Sequence, residues 1–371
     1  MEPKHYHFID ALRGVAIASV ILAHVIQVCP LSGRFNLIGS VAPYGVQLFF
    51  VLSAVTLLLS MYSRTRAEQH PLQNFFVRRF FRIAPAFYLS IVLSLVVFGL
   101  GPRFMAPNGL RPAAILSTFL FVNGWRPDTI NSVVAGQWSI AVEMTFYLVL
   151  PLLFRLVRSM RAAVIAWLVA IFAAGVLKPL GYLLCSSAGF ANTHPLSDAF
   201  LHYWFPNEFP VFLAGFCAFF AIKQGLSLQR FYGFCLIGLL FVLAARRIVH
   251  LKAAPSTFGI LFAAVVVTAS RYPLKVLVNR TLEHLGKVSF SAYLVHPFII
   301  HFLAPVVAQF VRLPQLLRMA LDYIVFVGIT TAVATVTWRF IEVPFQHLGR
   351  SLTKWNEGRS AQLDARVTGD V

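Results

Sequence analysis

Apolar residues along this chain come in long runs separated by short polar stretches, and the runs have the length of membrane spans. A helical bilayer crossing takes about 20 predominantly apolar residues. That length recurs at about 8–29, 41–62, 83–100, 138–157, 162–183, 208–222, 231–248, 256–270, 289–310 and 319–341, the sixth and eighth being short. The pattern predicts an all-α polytopic membrane protein of about ten transmembrane helices. An even number places both termini on one side of the bilayer.

The first run, FIDALRGVAIASVILAHVIQVC from Phe8 to Cys29, is more than a plain anchor. It carries Asp10, Arg13 and His24. Arg13 and His24 are eleven positions apart, which at 100° per residue aligns them within about 20°, and Asp10 lies within about 60° of both. Ionisable groups on one stripe of a membrane helix are costly against lipid and must face protein or water. Asp10 and Arg13 admit a second reading, as interfacial residues that snorkel to the headgroups. His24, about three turns deeper, does not fit that reading, and a functional role is expected of it.

Composition narrows the picture. Of 371 residues, 58% are hydrophobic and 12% charged, and the mean hydropathy is +0.76, which excludes a soluble fold. Residues 1–349 read as one integral-membrane domain and 350–371 as a polar cytoplasmic tail, expected to be disordered. The net charge of +18 would suit a nucleic-acid partner, but the basic residues sit in short loops between spans, where retention on the cytoplasmic side accounts for them. No nucleic acid is expected. Loops on the side of the termini carry Lys4, the Arg64, Arg66, Arg78, Arg79 and Arg82 group, Arg155, Arg158 and Arg161, and further cations out to Arg366. The opposite loops carry about half as many, among them Arg34, Arg103, Arg111, Arg126, Lys178 and Arg312. The bias places both termini in the cytoplasm, with Arg246, Arg247 and Lys252 voting the other way. The first helix is too long and too charged for a removable signal peptide. Four scattered cysteines, Cys29, Cys185, Cys217 and Cys235, indicate neither a disulfide framework nor a zinc site, and no metal is expected.

Two outward connections are long, at about 101–137 and 184–207. The first holds Asn123, Trp125, Asp128 and Asn131; the second holds Asn192, His194, Asp198, His202, Trp204, Asn207 and Glu208. Aromatic faces with amides and carboxylates suit a polyhydroxyl ligand, and they equally suit an interfacial aromatic belt.

Three inner stretches carry candidate chemistry. In QNFFVRRFFRIAP, Arg79 and Arg82 are three apart and share a helical face. Guanidinium forks there suit either the phosphates of a nucleotide or coenzyme, or anionic lipid headgroups. In QWSIAVEMTFYLVLP, Glu143 sits about one and a half turns inside an apolar helix opened by Trp138 and Ser139, with Tyr147 one turn further on the same face. A carboxylate there needs a partner such as Arg13 or His24, or it stays protonated, and a structural pair and a catalytic role fit equally. In VSFSAYLVHP, Pro297 deprives the Tyr293 carbonyl of its donor, which predicts a kink or break near His296. His296 then either lines a cavity or pairs with the freed backbone.

Six blocks in order, FIDALRGVAIASVILAH, GVQLFFVLSA, FFVRRFFRIAPAFY, QWSIAVEMTFYLVLP, SFSAYLVHP and FIEVPF, closely resemble the acyltransferase-3 family of integral-membrane acyltransferases over about residues 8–345. The family's arginine–ten residues–histidine element matches Arg13 and His24, its R-x-x-R element Arg79 and Arg82, and its W-S-x-x-x-E element Trp138, Ser139 and Glu143. The resemblance implies transfer of an acyl group, usually acetyl, from cytoplasmic acyl-CoA to a hydroxyl. The implied acceptor is a saccharide such as an O-antigen, exopolysaccharide or lipid-linked glycan, with a small metabolite as the other option. It implies a multi-pass protein of the bacterial inner membrane that works beside other glycan-assembly chains. The expected catalytic set is His24, Arg13, Glu143 and Asp10. Arg78, Arg79 and Arg82 are expected at the coenzyme, and Trp138, Ser139, Tyr147, Tyr293 and His296 at the substrate. Two departures stand out: Ser53-Ala54 replaces a Ser-Gly pair, and Glu143-Met144 replaces tandem acids. A hydrolase-like domain of the kind fused to some relatives is expected to be a separate chain. His24 is the expected general base, or alternatively an acyl-carrying nucleophile. A transporter of a glycan precursor or small metabolite is the rival class, because buried charges also build solute pathways.

Overall fold

The computed structural model describes residues 6–30, 35–189, 194–248, 253–310 and 314–369. Lys4, Arg34, Asn192, Lys252 and Arg312, which entered the reading of the loops, lie outside them, as do the side chains of His194 and Arg366. The described residues form sixteen α-helices and no strand, apart from one isolated bridge between Arg103 and Ala106.

The helices follow the apolar runs. They are α1 (His7–Val28), α2 (Asn36–Val41), α3 (Gly45–Arg64), α4 (Pro71–Phe98), α5 (Pro112–Phe119), α6 (Gln137–Leu156), α7 (Met160–Val176) and α8 (Lys178–Ser187). After these come α9 (His194–Tyr203), α10 (Phe205–Lys223), α11 (Leu228–Ile248), α12 (Ala253–Arg271), α13 (Arg280–Lys287), α14 (Ser289–Phe310), α15 (Gln315–Thr337) and α16 (Val343–Gly369). Among the described residues nine helical stretches are long and apolar enough to cross a membrane, or ten if α7 and α8, bent by 42° at Leu177, form one span. Each matches one run of the sequence. Bands of large apolar side chains on α7, α11 and α15, such as Ile165, Val169, Ile237, Leu240 and Ile324, face outward, as a lipid-contacting surface requires.

Aromatic side chains tie the bundle's centre together. The Phe212 ring of α10 lies between Phe50 of α3, at 4.5 Å, and Phe146 of α6, at 4.0 Å, both nearly parallel to it. Helix α10 also packs on α7 and α12. Its Gly215 meets α3 so closely that a Cβ there would stand 2.7 Å from Ala54 Cβ and 2.8 Å from the Val51 carbonyl. At Ala54, which stands where the resembled family has glycine, the glycine of the close crossing is supplied by the opposite helix.

Helix α1 is held on the other side by the short α13. Gly14 lies against the Leu282 backbone and Gly286 against the Asp10 backbone, leaving no room for a Cβ on either. Helices α3, α14 and α15 complete the sleeve around α1. Helix α16 reaches into the segment that the sequence reads as a polar tail. It continues from α15 through a π-helical turn at Trp338–Glu342 and packs on α4, where its Glu357 meets the residues at the start of that helix. The Glu357 carboxylate accepts hydrogen bonds from the Gln69 and His70 amides, at 2.7 and 3.0 Å, and from Asn74 Nδ2, at 2.6 Å. Composition alone reads this segment as polar and free, but three donors converging on one carboxylate hold it. Nor does Pro297 break α14, which runs through both Pro297 and Pro305.

Gly286→Ala is expected to lower the thermal midpoint of the detergent-solubilised protein markedly, since overpacking a filled contact costs about 1–3 kcal/mol or more. Gly233→Ala on α11, where nothing lies within 4 Å of an added Cβ, should hold the midpoint or raise it, because alanine favours helix by up to about 1 kcal/mol. Equal midpoints for the two variants would contradict the tight α1–α13 contact.

Candidate active site

Three guanidinium groups and one carboxylate converge in a cavity of roughly 700 Å³, its open mouth included. Arg13 comes from α1, Arg79 and Arg82 from one face of α4, and Glu143 from α6. Ser53 and Thr56 of α3, Ser139 and Tyr147 of α6, and Ser289 and Tyr293 of α14 add hydroxyls to its wall. The helical spacings explain the convergence: 53 and 56, 79 and 82, and 139, 143 and 147 are each three or four apart, so each set shares a face.

The Glu143 carboxylate is held by hydroxyls. Its Oε1 accepts from Ser53 Oγ at 2.6 Å and from Tyr147 OH at 2.7 Å. Arg13 and His24, the partners expected from the sequence, make no hydrogen bond to it. Arg13 donates to Thr56 Oγ1 at 3.2 Å and stands 3.9 Å from Asp10, one turn before it. Arg79 lies between the rings of Phe75 and Tyr147, 5.9 Å from each centroid, a cation–π separation. Its Nε is buried and lacks a hydrogen-bond partner among the described residues. Glu342, in the π-helical turn, accepts a hydrogen bond from Ser291 Oγ and lies within electrostatic reach of Arg82.

Arg78 is turned elsewhere. One residue along a helix is 100° round its axis, so Arg78 and Arg79 cannot share a face. Arg78 makes a two-pronged pair with Glu68, at 2.9 and 3.1 Å, and lines a second pocket with Arg64, Arg66, Arg155 and Arg158. No carboxylate lines that pocket. Phe75 of its wall meets Tyr147 of the first cavity edge to face, with centroids 6.1 Å apart.

Toward the other end of the bundle the cavity stops at Ser139 and Tyr293. Tyr293 OH donates to the Gly136 carbonyl at 2.9 Å and lies 2.8 Å from Ser139 Oγ. Gly136 has φ 83°, and a Cβ on it would stand 2.7 Å from Tyr293 OH, so glycine is required twice over. Behind Tyr293 the rings continue to His296, at 5.7 Å, and from His296 to His24, at 4.9 Å. His24 and His296 thus meet, although neither lines the cavity. Trp138 is buried by stacking on Tyr203 at 4.5 Å and is absent from the wall.

The two long connections, at about 101–137 and 184–207, and the helix start that follows the second bond several of their polar groups within the structure. Glu208 is fully buried, with both oxygens bonded by Gln47 Nε2 at 3.1 and 3.0 Å. Asn207 bonds the His202 carbonyl, Asn131 accepts from the Gly136 amide, and Arg126 pairs with Asp128. That pairing holds the exposed Arg126 guanidinium above its ordinary range. Sequence reasoning missed Ser53 and Thr56. Two hydroxyls three apart in an apolar span were the available signal. The described residues contain no group of His, Cys, Asp and Glu able to hold a metal.

The described residues form a polytopic helical bundle with a charged, hydroxyl-lined cavity between its spans, the architecture of a multi-pass membrane protein. The profile described as an acyltransferase domain, Acyl_transf_3, matches residues 6–339, and the chain belongs to that family. It is 26% identical to the peptidoglycan O-acetyltransferase OatA of Listeria monocytogenes, over 93% of this chain and 56% of the relative. It is 27% identical to the acyltransferase MdmB of Streptomyces mycarofaciens, over 71% and 69%. To the O-acetyltransferase OatA of Staphylococcus aureus it is 27% identical, over 94% and 58%. The chain thus spans little more than half the length of the OatA relatives. No solved structure matches it.

Ser53→Ala and Tyr147→Phe each remove one donor from Glu143 Oε1. Each is expected to cost about 1 kcal/mol of stability. Because the donors share one acceptor, the double variant should depart from additivity by about 0.5 kcal/mol or more in thermal or denaturant unfolding. Strict additivity would show that the two hydroxyls do not act on the same oxygen.

Proposed function

We propose that the protein is a membrane O-acyltransferase that moves an acyl group, acetyl in the first instance, from acyl-CoA to a saccharide hydroxyl. The observation that carries this reading is the cavity itself: Arg13, Arg79 and Arg82 crowd around one carboxylate, an excess of positive charge that suits an anionic donor. The family supplies the reaction class, and the OatA relatives, named for O-acetyl transfer, supply acetyl and a glycan acceptor.

In this reading the donor enters from the cytoplasmic face, with both termini on that side of a bacterial inner membrane. Arg79 and Arg82 take its phosphates, and Arg78 flanks them from the second pocket. The arm bearing the thioester passes Ser139 and Tyr293 toward His24, which lies about 16 Å along α1 from Arg13 at 1.5 Å per residue. The acceptor, a peptidoglycan-like, exopolysaccharide, O-antigen or lipid-linked glycan presented by other assembly chains, comes from the opposite face. The His24 imidazole takes the proton of the acceptor hydroxyl as its oxygen attacks the thioester carbonyl. The carbon–sulfur bond breaks, and the departing thiolate takes the proton back from the imidazolium. The products are an ester and free coenzyme A. Arg13 and Asp10 fix the cytoplasmic half of α1, and Glu143 balances the arginines. No metal is required.

The test is mass spectrometry of a glycan acceptor incubated with acetyl-CoA and the purified protein in liposomes. Wild type should add one acetyl mass. His24→Ala should bind acetyl-CoA normally and add none, whereas Arg79→Ala should weaken acetyl-CoA binding about tenfold or more. Equal binding loss in both variants would end this division of labour. Absence of any product, with flux of a glycan precursor across the liposome, would favour a transporter.

A further inference from the structure

The second pocket gathers more guanidinium groups than the first. It measures roughly 1240 Å³, its open mouth included, and Arg64, Arg66, Arg78, Arg155 and Arg158 line it. They arrive from the end of α3 and the turn after it, from α4, and from the end of α6 and its connection to α7. One acid serves them. Glu68 accepts from Arg64 Nη1 at 2.9 Å, from the two Nη atoms of Arg78 at 2.9 and 3.1 Å, and from Asn74 Nδ2 at 3.2 Å. Glu68 thereby orients two guanidinium groups and is filled by them. Arg66, Arg155 and Arg158, all exposed, have no acidic partner among the described residues. Arg158 is tied to the pocket by its Nε, which donates to the Arg155 carbonyl at 2.8 Å.

Loop arginines in themselves mark only the cytoplasmic side of a membrane protein. Here two separate connections turn theirs into one concave space, against an apolar wall that includes Tyr62, Phe75 and Phe154. Tyr62 and Phe154 meet edge to face with centroids 4.8 Å apart. Guanidinium forks match phosphate oxygens. A phosphate held by a single ester bond offers three such oxygens and close to two negative charges, against two oxygens and one charge for a diester. Three uncompensated forks beside an apolar wall fit the monoester.

The wall also joins the two cavities. Phe75 precedes Arg78 by three residues and Arg79 by four, so its ring is a neighbour of both side chains. Arg79 stands 5.9 Å from the ring centroid and lines the first cavity, whereas Arg78 lines the second. A ligand with phosphates at two positions of one sugar can straddle this ring. Acyl-CoA is such a ligand, since its ribose carries a 5′-diphosphate and a 3′-monophosphate.

We infer that the second pocket is a phosphomonoester site in which Arg66, Arg155 and Arg158 take the terminal phosphate. The 3′-phosphate of the coenzyme is the occupant that also reaches the first cavity, and the headgroup of phosphatidic acid offers the same group from the lipid side. The coenzyme as occupant rests on the donor proposed above; the site does not.

The experiment uses the full-length protein in phosphatidylcholine nanodiscs, which supply neither net charge nor a phosphomonoester. Binding of acetyl-CoA and of 3′-dephospho-acetyl-CoA is measured by calorimetry, and retention of added phosphatidic acid by native mass spectrometry. Wild type should bind acetyl-CoA about tenfold or more tighter than the dephospho form, the step that charge-assisted hydrogen bonds to one phosphate supply. The triple variant Arg66→Gln, Arg155→Gln, Arg158→Gln, which changes only exposed side chains, should bind the two forms alike. Arg79→Ala should weaken both and keep their ratio; loss of the ratio there alone would place the 3′-phosphate in the first cavity and overturn the inference. If neither coenzyme form binds, but wild type retains phosphatidic acid and the triple variant does not, the donor reading fails and the site stands with lipid as its source. If both forms bind equally and phosphatidic acid is retained no better than phosphatidylcholine, the donor reading stands and the site falls. The site falls equally if the triple variant keeps whichever preference wild type shows, or if wild type shows none.

Discussion

Three guanidinium groups from Arg13, Arg79 and Arg82 share one cavity with Glu143, inside spans whose outer faces are apolar. None of these charges can be turned to lipid without a large penalty. The bundle is consequently built inward. Helices α1, α3, α4, α6 and α14 each bring polar side chains to one space, and hydroxyls from Ser53, Thr56 and Tyr147 fill the hydrogen-bonding positions that water would take elsewhere. Among the charged side chains that line it, the three guanidinium groups outnumber the one carboxylate.

That convergence demands tight backbone packing. Phe212 locked between Phe50 and Phe146 fixes α10 against α3 and α6, and Gly215 lets α10 approach α3 to contact distance. Across the bundle, Gly14 and Gly286 let α13 lie directly on α1. Without a hydrophobic force between helices in lipid, small residues at such crossings supply the association. The stripe carrying Asp10, Arg13 and His24 is therefore set in rotation by packing on its opposite faces.

The spans were legible because apolar length is a property of sequence alone, and nine of the ten runs are matched by long apolar helices among the described residues, the tenth by the bent α7–α8 pair. The sharing of faces by Arg79 with Arg82, and by Ser139 with Glu143 and Tyr147, was legible for the same reason: helical spacing is local. What the spacing could not reveal was tertiary. Glu143 turns to Ser53 and Tyr147, and not to Arg13, because of where α3 sits. His24 meets His296 although 272 positions of sequence separate them. Glu208 and Asn207, polar in a loop-like stretch, are drawn inward by Gln47 and by the His202 carbonyl. Of the kink or break read at Pro297, the break is absent, because a single missing amide leaves the rest of α14 bonded. Hydropathy likewise does not register the anchoring of Glu357 in the polar segment after Arg350.

That anchor has a consequence for assembly. Helix α4, which carries Arg79 and Arg82, begins at Pro71 after an N-cap residue, His70, whose side chain makes no capping bond. The amides at Gln69 and His70 and the Asn74 side chain are satisfied instead by Glu357, nearly 290 residues later. During synthesis the first helices can cross the membrane and meet long before this carboxylate exists. The amides just before α4 thus take their acceptor from a residue near the far end of the described chain. The entry to the helix that carries Arg79 and Arg82 is therefore closed by the end of the described chain, and the two ends of the fold are tied at one carboxylate.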